Sequence, residues 1–137
     1  MNDAAATAFL VAASIHAGVL ATVTLVVYPA LARVRAAHWR QAHDRHRRSI
    51  APLVALTYVG MAGTGAWWLA VDWSTLAAVA VALALLSTAV TAVLAAPLHR
   101  RLVRRDDALI DRLLRVDRIR TVLGVAAVAV AVGAVLS

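Results

Sequence analysis

Two histidines, His43 and His46, stand three residues apart in an arginine-rich stretch of the sequence. On a helix both imidazoles would share one face, one turn apart, where they could bind a divalent metal ion or an anionic headgroup. His99 ends a later apolar run and could reach the same level, and Asp117, one turn before Arg120, could add a carboxylate oxygen. These five residues are the candidate catalytic residues, and the three histidines are also candidate metal ligands.

Each of these features also has a structural interpretation. A pair of histidines at this spacing is a weak motif, and histidines among arginines are commonly solvated or in contact with lipid headgroups. The Asp117–Arg120 pair could be an ion pair that locks the two polar segments together. Alternatively, Arg120 could bind an anion above a substrate cavity. The sequence leaves both alternatives open.

His16 is different because it falls near the middle of an apolar run. A buried imidazole in hydrocarbon must find a hydrogen-bond partner or cost several kcal/mol. A hydroxyl from another span would suffice, and the candidates are Thr57, Tyr58, Ser87 and Thr91. Ligation of haem, or contact with a quinone or polyketide, is the functional alternative. His16 and Tyr58, which we expect to share that interior, are therefore candidate cofactor-binding residues.

The residues that must position these groups are strongly apolar. The chain has 137 residues, room for one domain, of which 63% are hydrophobic, with a mean hydropathy of +0.80. About 20 apolar residues cross about 30 Å of hydrocarbon as a helix. Four runs reach that length, at about 4–31, 50–69, 75–98 and 119–136. The sequence predicts an all-α membrane protein, with four transmembrane helices in an antiparallel bundle.

Further details of the spans follow from residue type. Thr7, Ser14, Gly18 and Thr22 would form a small, weakly polar stripe suited to close helix contacts. Pro52 would lie in the first turn of the second span, where its missing N–H costs little. We expect Trp67, Trp68 and Trp73 in an interfacial aromatic belt, and no charged side chain deep within a span. A helix over 108–121, capped by Asp106 and Asp107, would precede the last span.

All fourteen basic residues are arginine, and all lie in two polar segments between spans, six at 33–48 and eight at 100–120. The net charge of +7 is therefore best explained by anionic lipid headgroups, with no nucleic acid as partner. The positive-inside rule places both segments in the cytoplasm and both termini on the extracytoplasmic side. The composition suggests a multi-pass protein of a bacterial cytoplasmic membrane. The absence of cysteine excludes disulfides and thiolate metal sites.

Several short motifs resemble a family of small bacterial four-helix membrane proteins related to the anthrone-oxygenase-like membrane proteins. They are Tyr28-Pro-Ala-Leu, Trp39-x-x-x-His43-x-x-His46-x-x-x-Ile50, Pro97-Leu-His99-x-x-Leu102, Ile110-Asp-Arg-Leu and Asp117-x-x-Arg120-Thr121. Asp117 replaces the family's usual asparagine, and Val27 replaces a histidine commonly found before Tyr-Pro. The resemblance implies a four-helix bundle that oxidises or binds a hydrophobic aromatic compound. A looser likeness is to the four-helix bacterial protoporphyrinogen oxidase, whose intramembrane lysine has no counterpart here.

Two functional hypotheses follow. The first is an oxidoreductase or oxygenase that acts on a lipophilic small molecule, with a metal ion, a haem or no cofactor. Its lesser variant is a haem- or porphyrin-related oxidase. The second is a non-enzymatic membrane protein that binds lipid or a partner subunit. The many Ala and Gly faces also permit a homo-oligomer.

Overall fold

The computed structural model describes residues 3–137 and is 91% helical. Helix α1 consists of α-helix Asp3–Thr22, a π-helical turn Val23–Val27 and α-helix Tyr28–Ala32. Helix α2 spans Ala36–Val71. Helix α3 consists of α-helix Thr75–Val90, a second π-helical turn Thr91–Ala95 and α-helix Ala96–Arg101, and helix α4 spans Asp107–Leu136. All four helices are long and apolar enough to cross a membrane, which confirms the predicted helical class.

Two of the helices extend more than ten residues beyond the predicted spans. Helix α2 begins at Ala36, so Pro52 lies well inside it, and the expectation that Pro52 occupies a first turn is wrong. At 1.5 Å per residue α2 is about 54 Å long, which exceeds the hydrocarbon thickness. Its arginine-rich first part therefore extends beyond the apolar layer. The helix predicted over 108–121 is continuous with the last span in α4, and Asp106 caps it by accepting from the backbone N–H of Leu109 at 3.0 Å.

The two arginine-rich segments meet at one end of the bundle. Arg105 donates to the backbone carbonyl of Val34, and the indole N–H of Trp39 donates to the carbonyl of Leu102 at 3.1 Å. Helix α1 packs against α2 and α4, and α3 packs mainly against α4. This arrangement encloses two separate hydrophobic clusters.

The cluster far from the arginines consists mostly of alanine, and we call it the alanine-rich core. Its buried members are Ala5, Ala6, Phe9, Ala13, Met61, Trp68, Ala77, Ala80, Val81, Ala84, Ala127, Ala131 and Ala134. The other cluster, the loop-side core, contains larger side chains. Its members are Val23, Tyr28, Leu31, Trp39, Ala95, Leu98, Leu102, Ile110, Leu113 and Val116. Small residues let helix backbones approach closely, which is how apolar helices without a hydrophobic driving force can associate.

Two predicted packing features are wrong. The stripe of Thr7, Ser14, Gly18 and Thr22 is exposed throughout. Helix α1 instead buries the face that carries Phe9 and His16, because a large ring and a polar imidazole gain more from the interior than a row of small residues. Trp68 is also buried, with its ring centroid 5.4 Å from that of Phe9, whereas Trp67 and Trp73 are exposed.

Candidate functional site

A cavity of about 590 Å³ lies where the four helices approach the arginine-rich end. That volume is within the range of small-molecule sites. Four arginines and one aspartate contribute to its wall, together with two histidines, a tyrosine, a threonine and an apolar side. The lining residues are Val23, Tyr28, Asp44, His46, Arg47, Arg48, Ile50, Ala51, Val54, Thr91, Ala95, Ala96, His99, Arg100 and Arg120. The cavity lining thus combines cationic and apolar residues.

His99 stands at the centre of a chain of three hydrogen-bonded rings. Its Nε2 is 2.7 Å from the hydroxyl oxygen of Tyr28, and its Nδ1 is 3.0 Å from Nε2 of His43. The ring of His43 is stacked on Trp39, with centroids 5.3 Å apart and planes 13° apart. Both nitrogens of His99 therefore have partners, and Trp39 holds the outer histidine in place.

His46 completes the histidine group on the cavity side. Its ring meets Tyr28 edge-on at a centroid distance of 5.5 Å and lies 6.0 Å from the ring of His99. The structure therefore brings His43, His46 and His99 together. However, no set of three or more His, Asp or Glu side chains in residues 3–137 is arranged to hold a metal ion. The geometry gives the predicted three-histidine metal site no support, because hydrogen bonds already occupy the nitrogens of His99.

His43 and His46 precede the apolar part of α2 and so lie outside the predicted span 50–69. Burial lowers the pKa of His43, and the nearby Arg47 guanidinium lowers it further. Burial also lowers the pKa of His46, with a smaller contribution from His43. Near neutral pH both imidazoles are therefore uncharged, so that each has one donor and one acceptor nitrogen.

The two π-helical turns bring Tyr28 and His99 to the cavity. Each turn ends two residues before a proline, Pro29 in α1 and Pro97 in α3. Proline cannot donate to the carbonyl four residues earlier and its ring clashes with that carbonyl. The wider π turn relieves the clash, and the last amide before each proline bonds five residues back, from Tyr28 to Val23 and from Ala96 to Thr91. The sequence showed the prolines but not the π turns.

Asp117 and Arg120 form a buried ion pair within α4, with both side chains almost fully enclosed. Thr24 of α1 donates to the Asp117 carboxylate, and Arg120 donates to Asp117 and, at 3.3 Å, to the hydroxyl of Thr91 on α3. Both residues lie at the start of the predicted last span, where their opposite charges compensate one another. The pair joins α4 to α1 and α3 rather than locking the arginine-rich segments together.

Arg120 also lines the cavity, which is the position it would need in order to bind an anionic ligand there. Its bonds to Asp117 and Thr91 use three of the five N–H groups of a guanidinium. The hydroxyls of Tyr28 and Tyr58 also interact with this guanidinium, so a ligand at Arg120 would share its remaining donors with them. Asp117 does not contact the histidines, so the predicted carboxylate ligand for a metal is not part of that group.

His16 and Tyr58 lie deeper, next to the alanine-rich core. Nδ1 of His16 is 3.2 Å from the hydroxyl of Thr57, which donates its own proton to the carbonyl of Val54. Thr57 must therefore accept from His16, so the His16 proton is on Nδ1. The predicted bond to a span hydroxyl is confirmed. Within residues 3–137, Nε2 of His16 and the hydroxyl of Tyr58 have no hydrogen-bond partner at close distance, although the Tyr58 hydroxyl interacts with Thr91 and Arg120. Neither His16 nor Tyr58 lines the main cavity. A cofactor role for them stays a prediction.

The structure adds Tyr28 and Thr91 to the candidate site, and sequence reasoning did not select either for chemistry. Tyr28 was recognisable only as the residue before Pro29, and Thr91 only as one of several hydroxyls on α3. Their importance comes from contacts between residues far apart in sequence.

Comparisons of the chain with protein-family models, with curated proteins and with solved structures find no match. The resemblance to the anthrone-oxygenase-like membrane proteins therefore stays a prediction, and function has to be argued from the site itself.

Proposed function

We propose that this chain is a multi-pass membrane protein that binds a lipophilic weak acid in the cavity above Arg120. The single observation that carries the proposal is a buried guanidinium, paired with Asp117, in the wall of a cavity of about 590 Å³. A buried charge near the membrane interior is costly and marks a functional site by default.

The charge balance around the cavity favours an anionic head group. Arg47, Arg48, Arg100 and Arg120 face it, whereas Asp44 is the one acidic residue in the lining. Asp117 compensates part of the charge of Arg120 through their ion pair, but a positive excess remains. Guanidinium groups bind carboxylates and phosphates in a planar, two-bond geometry.

The apolar residues of the lining suit an apolar tail. Val23, Ile50, Ala51 and Val54 line it, and all belong to the apolar parts of α1 and α2. A ligand with an acidic head and a hydrocarbon or aromatic body would place each part against matching chemistry. Acid–base chemistry on such a ligand would involve His46 and His99, which lie beside its head.

We place the bundle with its helices antiparallel in a bacterial cytoplasmic membrane. The shared location of the two arginine-rich segments supports this placement, since the positive-inside rule would put that end in the cytoplasm and both termini outside. The natural chain has no cysteine, so single-cysteine variants are easily made. Thr75→Cys should react with an impermeant thiol reagent added outside, whereas Arg104→Cys should react only after the membrane is opened. The reverse pattern would overturn the placement.

Ligand binding can be tested with a fluorescent fatty acid and protein in zwitterionic lipid nanodiscs. Ala51 is exposed and lines the cavity, so Ala51→Trp should obstruct it and weaken binding by about 10-fold or more, or about 1.4 kcal/mol. Ala55 lies one turn further along α2, is also exposed and does not line the cavity. Ala55→Trp is therefore the matched control and should bind as the wild type does. Equal binding by both variants would refute the cavity as the site.

The second candidate is a lipid-binding protein without enzymatic activity. It is favoured by the exposed arginines at the cavity rim, which are suited to lipid phosphates. Phosphatidylglycerol added to the same nanodiscs distinguishes the two. If the cavity binds membrane lipid, phosphatidylglycerol should displace the fluorescent acid at low mole fractions. If the cavity binds a single-chain acid, the fluorescent acid should stay bound.

An oxidoreductase or oxygenase acting on a lipophilic molecule remains the enzymatic form of the proposal. Deprotonation makes a phenol or enol more electron-rich and so easier to oxidise, and the histidines beside the cavity are placed to accept that proton.

A further inference from the structure

We propose that Tyr28, His99 and His43 form a proton relay that carries a proton between the bound ligand and the aqueous side of the protein. The inference rests on the proposed function, since it concerns the same cavity, and it narrows the ligand to a lipophilic acid that loses or gains a proton there. A phenol or an enol fits this requirement.

The relay begins at Tyr28, which lines the main cavity together with His99. A second cavity of about 130 Å³ is lined by both His43 and His99. Arg40 and Arg100 also face that smaller cavity, which lies at the arginine-rich end. His99 therefore contributes to the wall of both cavities, whereas Tyr28 lines only the main one and His43 only the smaller one.

The hydrogen bonds permit two arrangements of the protons. In the first, the Tyr28 hydroxyl donates to Nε2 of His99, and Nδ1–H of His99 donates to Nε2 of His43. In the second, both bonds are reversed, so that Nε2–H of His43 donates to His99 and Nε2–H of His99 donates to Tyr28. Neutral imidazoles allow both arrangements, because each has one donor and one acceptor nitrogen.

A proton that enters at Tyr28 converts the first arrangement into the second. The ligand O–H bond breaks and its proton binds the oxygen of Tyr28, while the Tyr28 proton moves to Nε2 of His99. The Nδ1 proton of His99 moves to Nε2 of His43, and Nδ1–H of His43 releases its proton to water in the smaller cavity. One proton leaves the ligand and one enters water, so the charge balances, and the opposite movement protonates the ligand.

The surroundings hold the relay in line. Trp39 is stacked on His43 and anchored by its bond to Leu102, and the π turns fix Tyr28 and His99. The chain of rings connects Tyr28 in the main cavity with His43 in the smaller cavity. The arrangement follows the general logic of a reacting group, a base and a third group that orients the base.

The test uses an alkylated nitrophenol, whose phenolate absorbs visible light, bound to the protein in zwitterionic nanodiscs. Equilibrium dialysis measures binding, and a stopped-flow jump from acidic to alkaline pH measures the rate at which the bound phenol loses its proton. Tyr28→Phe and His43→Gln each interrupt the chain at a different link. His38→Gln is the control, since it makes the same histidine-to-glutamine change at an exposed residue of the helix that carries His43.

At equal occupancy, set from the affinity measured for each variant, we expect Tyr28→Phe and His43→Gln to deprotonate the bound nitrophenol at least about 10-fold more slowly than the wild type, since a positioned proton acceptor contributes on the order of 100-fold or more. His38→Gln should match the wild type. Wild-type rates in both relay variants, with binding retained, would overturn the relay and leave the binding function intact. A slow rate in Tyr28→Phe alone would overturn the role of His43. Failure of the wild type to bind the nitrophenol would overturn both proposals.

Discussion

The two hydrophobic clusters of this bundle solve the problem of helix packing in different ways. The alanine-rich core brings backbones together with small side chains, and a Cβ added at Gly65 would lie 3.3 Å from Phe9 and Val81. The loop-side core uses large rings, and next to it lie a buried ion pair, the histidines and the main cavity. One half is closely packed, and the other half contains a cavity and the polar groups that could bind a ligand.

The difference also concerns what holds each half together. In the alanine-rich core the contacts are van der Waals contacts between apolar groups, which are individually weak and collectively large. In the other half Asp117, Arg120, Thr24 and Thr91 join three helices through hydrogen bonds. Substitutions in the two halves should therefore affect stability and ligand binding differently.

The largest effect is expected from Asp117→Ala. It removes the carboxylate and leaves the guanidinium of Arg120 buried without compensation, which should lower the free energy of unfolding by about 3–5 kcal/mol. The double variant Asp117→Asn/Arg120→Gln leaves no uncompensated charge and should be closer to the wild type. Thermal unfolding in detergent checks both. A single variant as stable as the wild type would show that the ion pair does not hold the polar half together.

A smaller effect is expected from Ala131→Leu in the alanine-rich core. Ala131 is fully buried, and extra methylene groups in a packed core cost about 1–3 kcal/mol. Because the cavity is formed by other residues, binding of the fluorescent fatty acid should not change in the protein that remains folded. A variant that loses binding while its stability is unchanged would contradict the separation of the two halves.

The smallest effect is expected from replacing either of two glycines, Gly18 or Gly124, by alanine. A Cβ at Gly124 would lie 3.1 Å from the end of the Leu20 side chain, which is itself buried, whereas a Cβ at Gly18 meets nothing within 4 Å. Alanine favours a helix by about 1 kcal/mol over glycine at either position. Gly18→Ala should therefore be the more stable variant, and thermal unfolding of the two side by side measures the difference. The opposite order would mean that the face of Gly18 is covered by something other than this chain.

Much of the fold could be predicted from the sequence, because four long apolar runs admit few solutions other than helices. The pairing of His16 with a span hydroxyl and the approach of His99 to His43 were also predictable, since both follow from helix length and loop position. The buried face of α1 was not. Both faces of α1 carry small residues. Only the contact between Phe9 and Trp68 in the structure shows which face of α1 is buried.

The site itself could be predicted only in part. His43, His46, His99 and Arg120 were selected by residue type, whereas Tyr28 owes its place to a π turn that has no simple sequence signal beyond Pro29. The position of Asp117 was also ambiguous, because a carboxylate at the start of a span can serve a metal, an arginine or a helix contact equally well. The structure shows that Asp117 pairs with Arg120 of its own helix and accepts a hydrogen bond from Thr24 of α1, so it serves an arginine and a helix contact.

The central claim is that Arg120 and its neighbours receive the acidic head of a lipophilic ligand. The most direct measurement compares the affinity of a long-chain fatty acid with that of its uncharged methyl ester, for the wild type and for Asp117→Asn/Arg120→Gln, with Arg118→Gln as an exposed control on the same helix. The acid should bind the wild type and Arg118→Gln about 10-fold or more tightly than the ester, since a charge-assisted hydrogen bond contributes about 1.5–3 kcal/mol. In the double variant that preference should largely disappear. Equal affinity of acid and ester for the wild type, or an undiminished preference in the double variant, would contradict the account.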